Sequence, residues 1–392
     1  MSLNIAEVQK DLRAAKLDGW LFYDFRGRDP IAQRILGLPP AMRTRRWFYF
    51  VPTKGEPRKL VHKIESASLA TLPGETLYFS AHQELAGNLK KLLGRAKNVA
   101  MQYSPKNNIP YVSMVDAGTI ELVRSAGARV ETSADLVQKY EACWSKAQLE
   151  SHMAAGRAID QIVKGAFAQA AEAVKKGTPL TEYDLKEWIL RQFEQAGIMT
   201  EEGPDIAVNA NASDPHYGPT KANAAPIRES DLLLLDAWGK QKAEGSVYYD
   251  VTWVGYLGKK VPEKYAKVFK VVRDARDAAV ELIRSRVEAG KPLQGWEVDN
   301  AARRVVDKAG FGKYFFHRTG HNIGTSVHGN GVNMDGLETR DERHLIPQTC
   351  NSVEPGIYLK EFGIRSEVDV YVDEKEARVT GAIQSEILPL LA

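Results

Sequence analysis

Three histidines fall within one glycine-rich phrase, His317-Arg-Thr-Gly-His321-Asn-Ile-Gly-Thr-Ser-Val-His328-Gly-Asn-Gly. Glycines at 320, 324, 329 and 331 let the backbone turn and approach a ligand, and imidazoles near neutral pH serve as nitrogen ligands or proton carriers. Taken alone, the phrase also admits a polar loop bearing surface histidines, the less favoured of the two readings. Carboxylates in apolar surroundings narrow the choice. Asp236 follows the run Leu232 to Leu235, and Asp250 sits within Val247-Tyr-Tyr-Asp-Val-Thr-Trp. Glu354 stands in Ser-Val-Glu-Pro-Gly-Ile-Tyr, and Glu367 in Gly-Ile-Arg-Ser-Glu-Val-Asp-Val-Tyr-Val. A desolvated carboxylate needs a partner, and a single one would ordinarily find Lys or Arg. Four such acids beside a histidine loop point to metal. A mostly oxygen set with one imidazole suits Mn, Co or Zn, and carries enough charge for two divalent ions sharing bridging carboxylates.

Residues so far apart in sequence can meet only on a sizeable scaffold, and 392 residues allow two to three domains. Apolar residues make up 44% and charged residues 26%, which excludes a disordered chain. The net charge of +3 does not call for nucleic acid or an anionic membrane. Two cysteines, Cys143 and Cys350, are too few for a disulfide framework or a Cys-based zinc site, so a cytoplasmic location is expected. Met1 to Lys10 lacks the apolar region of an export signal, and no apolar run approaches the roughly 20 residues that span a bilayer. No membrane partner is expected.

An amphipathic helix opens at Ile5, followed by strands near Trp20 to Phe25, Trp47 to Val51, Lys59 to Val61, Thr76 to Phe79 and Val99 to Tyr103. Helices are expected near Leu85 to Leu93 and Val112 to Ser125, which makes residues 1–145 an α/β domain. The stretch Arg43 to Lys63 carries seven Lys or Arg around Trp47-Phe-Tyr-Phe50. It reads as a core strand with solvated flanks and not as a nucleic-acid surface. Ser145 can cap a long helix from Gln148 to about Lys175, followed by another at Glu182 to Ala196. Strands are expected at Leu232 to Trp238, Val247 to Leu257, Ser352 to Tyr358 and Ile364 to Val372, with helices at Pro262 to Ala289 and Trp296 to Ala309. Segregated strand and helix blocks make 146–392 an α+β domain.

The phrases Leu-Asp-Ala-Trp-Gly, Asp-Val-Thr, Thr-Gly-His-Asn-Ile-Gly, Val-Glu-Pro-Gly-Ile-Tyr and Gly-Ile-Arg-Ser-Glu resemble, in order, those of the pita-bread (M24-type) metallopeptidases. This family includes methionine aminopeptidase, aminopeptidase P and prolidase. The resemblance implies a creatinase-like N-terminal α/β domain followed by a pita-bread catalytic domain. It makes Asp236, Asp250, His321, Glu354 and Glu367 the ligands of two divalent ions, Mn first, with Co or Zn as alternatives. Glu354 would double as general base, His328 and His317 would stand on the substrate side as oxyanion donors, and His216 would approach from an upstream loop. Arg365 would lie near the metals and could meet a substrate carboxylate. The implied activity is Xaa-Pro dipeptidase (prolidase) or Xaa-Pro aminopeptidase, acting on small peptides as a homodimer. Two other readings keep the fold: a creatinase-like C–N hydrolase working without metal, and a non-catalytic binding protein. Both would be expected to lose the ligand set, which this sequence keeps.

Three departures from the family pattern bear on substrate choice. Asp236 and Asp250 are 14 residues apart, a longer interval than the family's, so the hairpin Gly239 to Ser246 could reshape the cleft rim. Gly329 follows His328 where an acid is common, and Asn322 replaces a usual glycine.

Overall fold

A computed structural model describes residues 3–392, in which a unit ending at Glu141 and a unit running from Ala142 to Ala392 each have their own apolar cores. In the first unit, helix α1 (Ile5–Ala14) precedes six strands: β1 (Gly19–Asp24), β2 (Trp47–Pro52), β3 (Arg58–His62), β4 (Glu75–Phe79), β5 (Asn98–Met101) and β6 (Arg129–Thr132). They form one mixed sheet in the order β4-β3-β2-β1-β5-β6. Every residue of β1 is buried because both faces are covered. Trp20, Phe22, Trp47 and Tyr49 pack into one core, and Leu21, Phe48, Phe50 and Leu60 into the other. The aromatic run Trp47 to Phe50 is therefore core, as its composition suggests. Two of the charges around it are tied down: Lys59 donates to the Leu72 carbonyl at 2.8 Å and Arg43 to that of Ser68 at 3.2 Å. The helix expected from Val112 starts only at Ala117, because Asp116 accepts the Thr119 N–H at 2.9 Å and so caps it there.

The second unit opens with a 31-residue helix, Lys146–Lys176, whose N-cap Ser145 and Gln148 form a reciprocal capping box. Five strands follow: β7 (Ile198–Met199), β8 (Asp205–Val208), β9 (Leu232–Gln241), β10 (Tyr249–Tyr256) and, later in sequence, the short strand Leu388–Pro389, which pairs with β10. The antiparallel pair β9 and β10 is the centre of this sheet, with β7 and β8 alongside β9. The long helix lies against the pair closely enough that a Cβ on Gly156 would sit 2.8 Å from the Tyr249 ring.

The two strands expected at Ser352 to Tyr358 and Ile364 to Val372 are each broken in two. Thr349–Val353 and Gly356–Leu359 are separated at Glu354-Pro355, and Phe362–Arg365 and Val368–Val372 at Ser366-Glu367. Pro355 has no N–H to give a ladder and disfavours a regular continuation before it. The outer halves pair with each other (Thr349 opposite Val372, Val353 opposite Val368), and the inner halves form a separate hairpin (Gly356 opposite Arg365). Glu354 and Glu367 thus lie at facing breaks and not inside strands. Helices Glu263–Glu288 and Gly295–Lys308 pack into the same core as these strands.

Candidate metal centre

The register of β9 and β10 puts Asp236 opposite Thr252 and Trp238 opposite Asp250. Directly opposed residues share a face, so both aspartates point the same way despite the 14 residues between them. The turn spans 242–248, because β9 runs on to Gln241. Asp250 is fixed further by its backbone N–H, which donates to Asp369 Oδ2 at 2.8 Å. His321 precedes the short strand Asn322–Ile323. Its N–H donates to Ser352 Oγ at 3.0 Å, and its carbonyl accepts the Ser352 N–H at 2.9 Å. Only glycine fits at 320, since a Cβ there would lie 1.9 Å from the Ser352 carbonyl oxygen. Ser352 Oγ in turn lies 3.3 Å from Glu354 Oε1, and Glu367 Oε2 accepts from Thr252 Oγ1 at 2.7 Å.

These supports bring Asp250, His321 and Glu367 together with one ligand atom each, all within 4.8 Å of one another and all buried. His321 Nε2 is 3.7 Å from Asp250 Oδ2 and 3.5 Å from Glu354 Oε1. Asp236 borders the same group, its Oδ2 held by Arg365 Nη2. Three carboxylate oxygens, Asp236 Oδ1, Asp250 Oδ1 and Glu367 Oε1, are buried without a hydrogen-bond partner. Such oxygens are costly in a shielded site unless a cation neutralises them, so the donor set fits a hard or borderline divalent ion. Burial, then Asp236, pushes the Asp250 carboxyl well above its ordinary range. Burial, then Asp250, does the same to Glu367, and burial raises Glu354 to about 7 against the opposing pull of Arg365. Burial, then His328, holds His321 well below the usual imidazole value, leaving it neutral and ready to ligate.

The centre faces a cavity of about 840 Å³, whose walls include His216, His317, Arg318 and His328. His328 packs edge-on to His321 with ring centroids 4.4 Å apart. Two expectations need correction. His317 Nδ1 lies 2.7 Å from the Arg318 carbonyl oxygen and must carry the proton there, so Nε2 accepts from the Tyr358 hydroxyl at 2.7 Å. With both nitrogens engaged in this way, His317 has no proton directed at the cavity for an oxyanion. Arg365 is only 4% exposed, and its guanidinium is spent on Asp236, on Thr252 Oγ1 at 3.1 Å and on the Tyr358 hydroxyl at 3.0 Å. These contacts leave its guanidinium engaged within the site and not unpartnered as a carboxylate receptor would be.

The loop that carries His216 is staple-bound by Glu182, a residue with no exposed surface. Its carboxylate accepts from Val208 N at 2.7 Å, Asn211 Nδ2 at 3.0 Å, the Tyr217 hydroxyl at 2.6 Å and Ala225 N at 2.7 Å. The departures at 322 and 329 are one feature. The Asn322 side chain donates to the Cys350 carbonyl at 3.0 Å and accepts from Gly331 N at 2.9 Å, and a Cβ at 329 would lie 2.3 Å from its Oδ1. An acid after His328 is sterically incompatible with this asparagine. Residue patterns alone missed Thr252, Tyr358, Asp369, Glu182, Arg318 and Asp205. For Thr252 the signal was available, two positions from Asp250 in an alternating strand.

A model described as metallopeptidase family M24 matches residues 154–374, more than half of the chain. An Xaa-Pro dipeptidase of Lactobacillus helveticus is 33% identical over 214 residues, which cover 52% of this chain and 53% of that protein. The chain spans about half the length of the curated relatives it matches. Among solved structures, dipeptidase PepE from Mycobacterium ulcerans superposes with a TM-score of 0.71 at 22% identity, covering 98% of this chain and 96% of the other. A prolidase from Thermococcus sibiricus gives 0.62 at 20% identity, covering 98% and 97%. These likenesses extend over nearly the whole chain and establish the expected pita-bread fold.

Proposed function

From the premise that the chain belongs to metallopeptidase family M24, we propose that it hydrolyses Xaa-Pro bonds in dipeptides or short peptides, using two divalent ions, Mn first. The observation that carries this reading is the set of partnerless buried carboxylate oxygens on Asp236, Asp250 and Glu367, gathered around His321 at the floor of the cavity. Asp236, Asp250, His321, Glu354 and Glu367 are the residues that would hold the ions, whose Lewis acidity makes water a competent nucleophile near neutral pH. The Glu354 carboxylate takes a proton from the attacking water and delivers it to the proline nitrogen. His328 donates to the scissile carbonyl oxygen as it gains charge. His317 and Tyr358 hold Arg365, and Arg365 holds Asp236, so the three fix the ligand geometry without touching substrate. Proline brings a rigid ring and no N–H, so its pocket selects by shape. Arg318 lines the cavity wall, and its positive charge favours a proline carboxylate there. The cytoplasmic location and the homodimer belong to the same proposal.

Ala-Pro, Ala-Ala and Ala-Pro-Ala, compared by kcat/KM in the presence of Mn²⁺, test the reading. Ala-Pro should be cut far faster than Ala-Ala. Equal rates on those two would reject proline selectivity, and a faster tripeptide would move the specificity from dipeptidase to aminopeptidase.

A further inference from the structure

Not every acid on the cavity wall has a task in this reading, and Asp205 is among those without one. Asp205 lies in β8 directly opposite Asp236 and therefore on the face that carries Asp250 and Thr252. It lines the cavity together with Lys186 and Glu202, and its carboxylate accepts no hydrogen bond and makes no ion pair among the described residues. Asp205 Oδ1 points at the loop after His216, 3.6 Å from where a Cβ on Gly218 would stand, so the absence of a side chain there keeps space in front of it.

We propose that Asp205 recognises the free α-ammonium of the substrate's first residue, a role that rests on the Xaa-Pro reading and assigns its requirement for an unblocked amine to a residue outside the ligand set. Geometry favours this position. In any α-amino acid the amine nitrogen is about 2.5 Å from its own carbonyl carbon, because only Cα separates them. The group that reads the amine must therefore stand beside the group that handles the carbonyl. Directly opposed residues of an antiparallel pair have Cα atoms about 4.5 to 5.5 Å apart, so Asp205 borders the centre through Asp236 without joining the ligands. Arg365 is committed to Asp236, and Lys186 is not within ion-pairing distance, so an incoming ammonium meets a carboxylate that no cation already holds.

The test compares Ala-Pro with propionyl-Pro, which has the same shape without the ammonium, on Mn-loaded wild type and on Asp205→Asn and Asp205→Glu. Wild type should prefer Ala-Pro. Asp205→Asn should lose roughly 10- to 100-fold in kcat/KM on Ala-Pro, mostly through KM, while the ratio of the two substrates collapses toward one. Asp205→Glu should recover part of the preference, and the metal content of both variants should match that of wild type. Equal losses on both substrates, or loss of metal in Asp205→Asn, would overturn the proposal in favour of a structural role. If wild type cuts both substrates equally well, Xaa-Pro hydrolysis stands and ammonium recognition falls. If it cuts neither, both readings fall.

Discussion

Two histidines four and seven residues from His321 differ in how their nitrogens are occupied. His317 is tied at both nitrogens, whereas His328 lies on the cavity wall against the His321 ring. His328→Ala should keep its metal, read by elemental analysis, and lose roughly 10² to 10³ in kcat, the usual cost of one oxyanion donor. Metal loss in that variant would show that His321 is not the only histidine ligand. Protons should accompany metal binding as well. The carboxyls of Asp250, Glu354 and Glu367 are raised in the metal-free protein, Glu354 to about 7, and a ligating carboxylate must be ionised. A raised pKa means that protons are still bound when the ion arrives, so Mn²⁺ affinity should fall as pH drops through about 7. Titration calorimetry in buffers of different ionisation heat should detect proton release at pH 6.5. A pH-independent affinity with no release would contradict this arrangement.

At the scale of elements, the breaks in the two strand pairs decide where the glutamates stand. A continuous pair of strands would have pointed Glu354 and Glu367 by simple alternation. The breaks at Pro355 and Ser366 instead let each glutamate bond back to the scaffold, Glu354 N to the Thr319 carbonyl at 2.7 Å and Glu367 Oε2 to Thr252 at 2.7 Å. The histidine loop shows the same dependence on neighbours in Asn322 and Gly329. Gly329→Ala should destabilise the protein by about 1 to 3 kcal/mol, since the new methyl collides with the Asn322 amide. In an Asn322→Gly background the same substitution should cost measurably less. Denaturant unfolding of the four-member cycle reads the coupling directly, and strict additivity would show that the two departures are unrelated.

At the scale of the molecule, the two units have separate cores, and every candidate ligand belongs to Ala142–Ala392. Calorimetry should therefore resolve a metal-sensitive transition from an insensitive one. With Mn²⁺ at about a thousand times its Kd, binding adds about 4 kcal/mol to the second unit. For a unit of this size that corresponds to a rise of about 8 to 16 °C in one transition, lost on chelation. An equal shift in both transitions would mean that the units unfold as one.

The sequence by itself determined the chemistry and much of the framework. Ligand-type residues in apolar runs point to a buried cluster of acids and histidine before any coordinate is known, because burying charge is too costly to be incidental. Local rules also carried the Ser145 cap, the long helices and the β9–β10 pair, since capping and periodicity act within a few residues. What only the tertiary structure decided were relations across elements. Which way the His317 proton points depends on Tyr358 and the Arg318 carbonyl. Whether Arg365 is free depends on Asp236, Thr252 and Tyr358, and what Asp205 faces depends on the β8 register. Hydrogen-bond occupancy and cross-strand register are properties of pairs brought together by folding, and composition and spacing along one chain do not encode them locally.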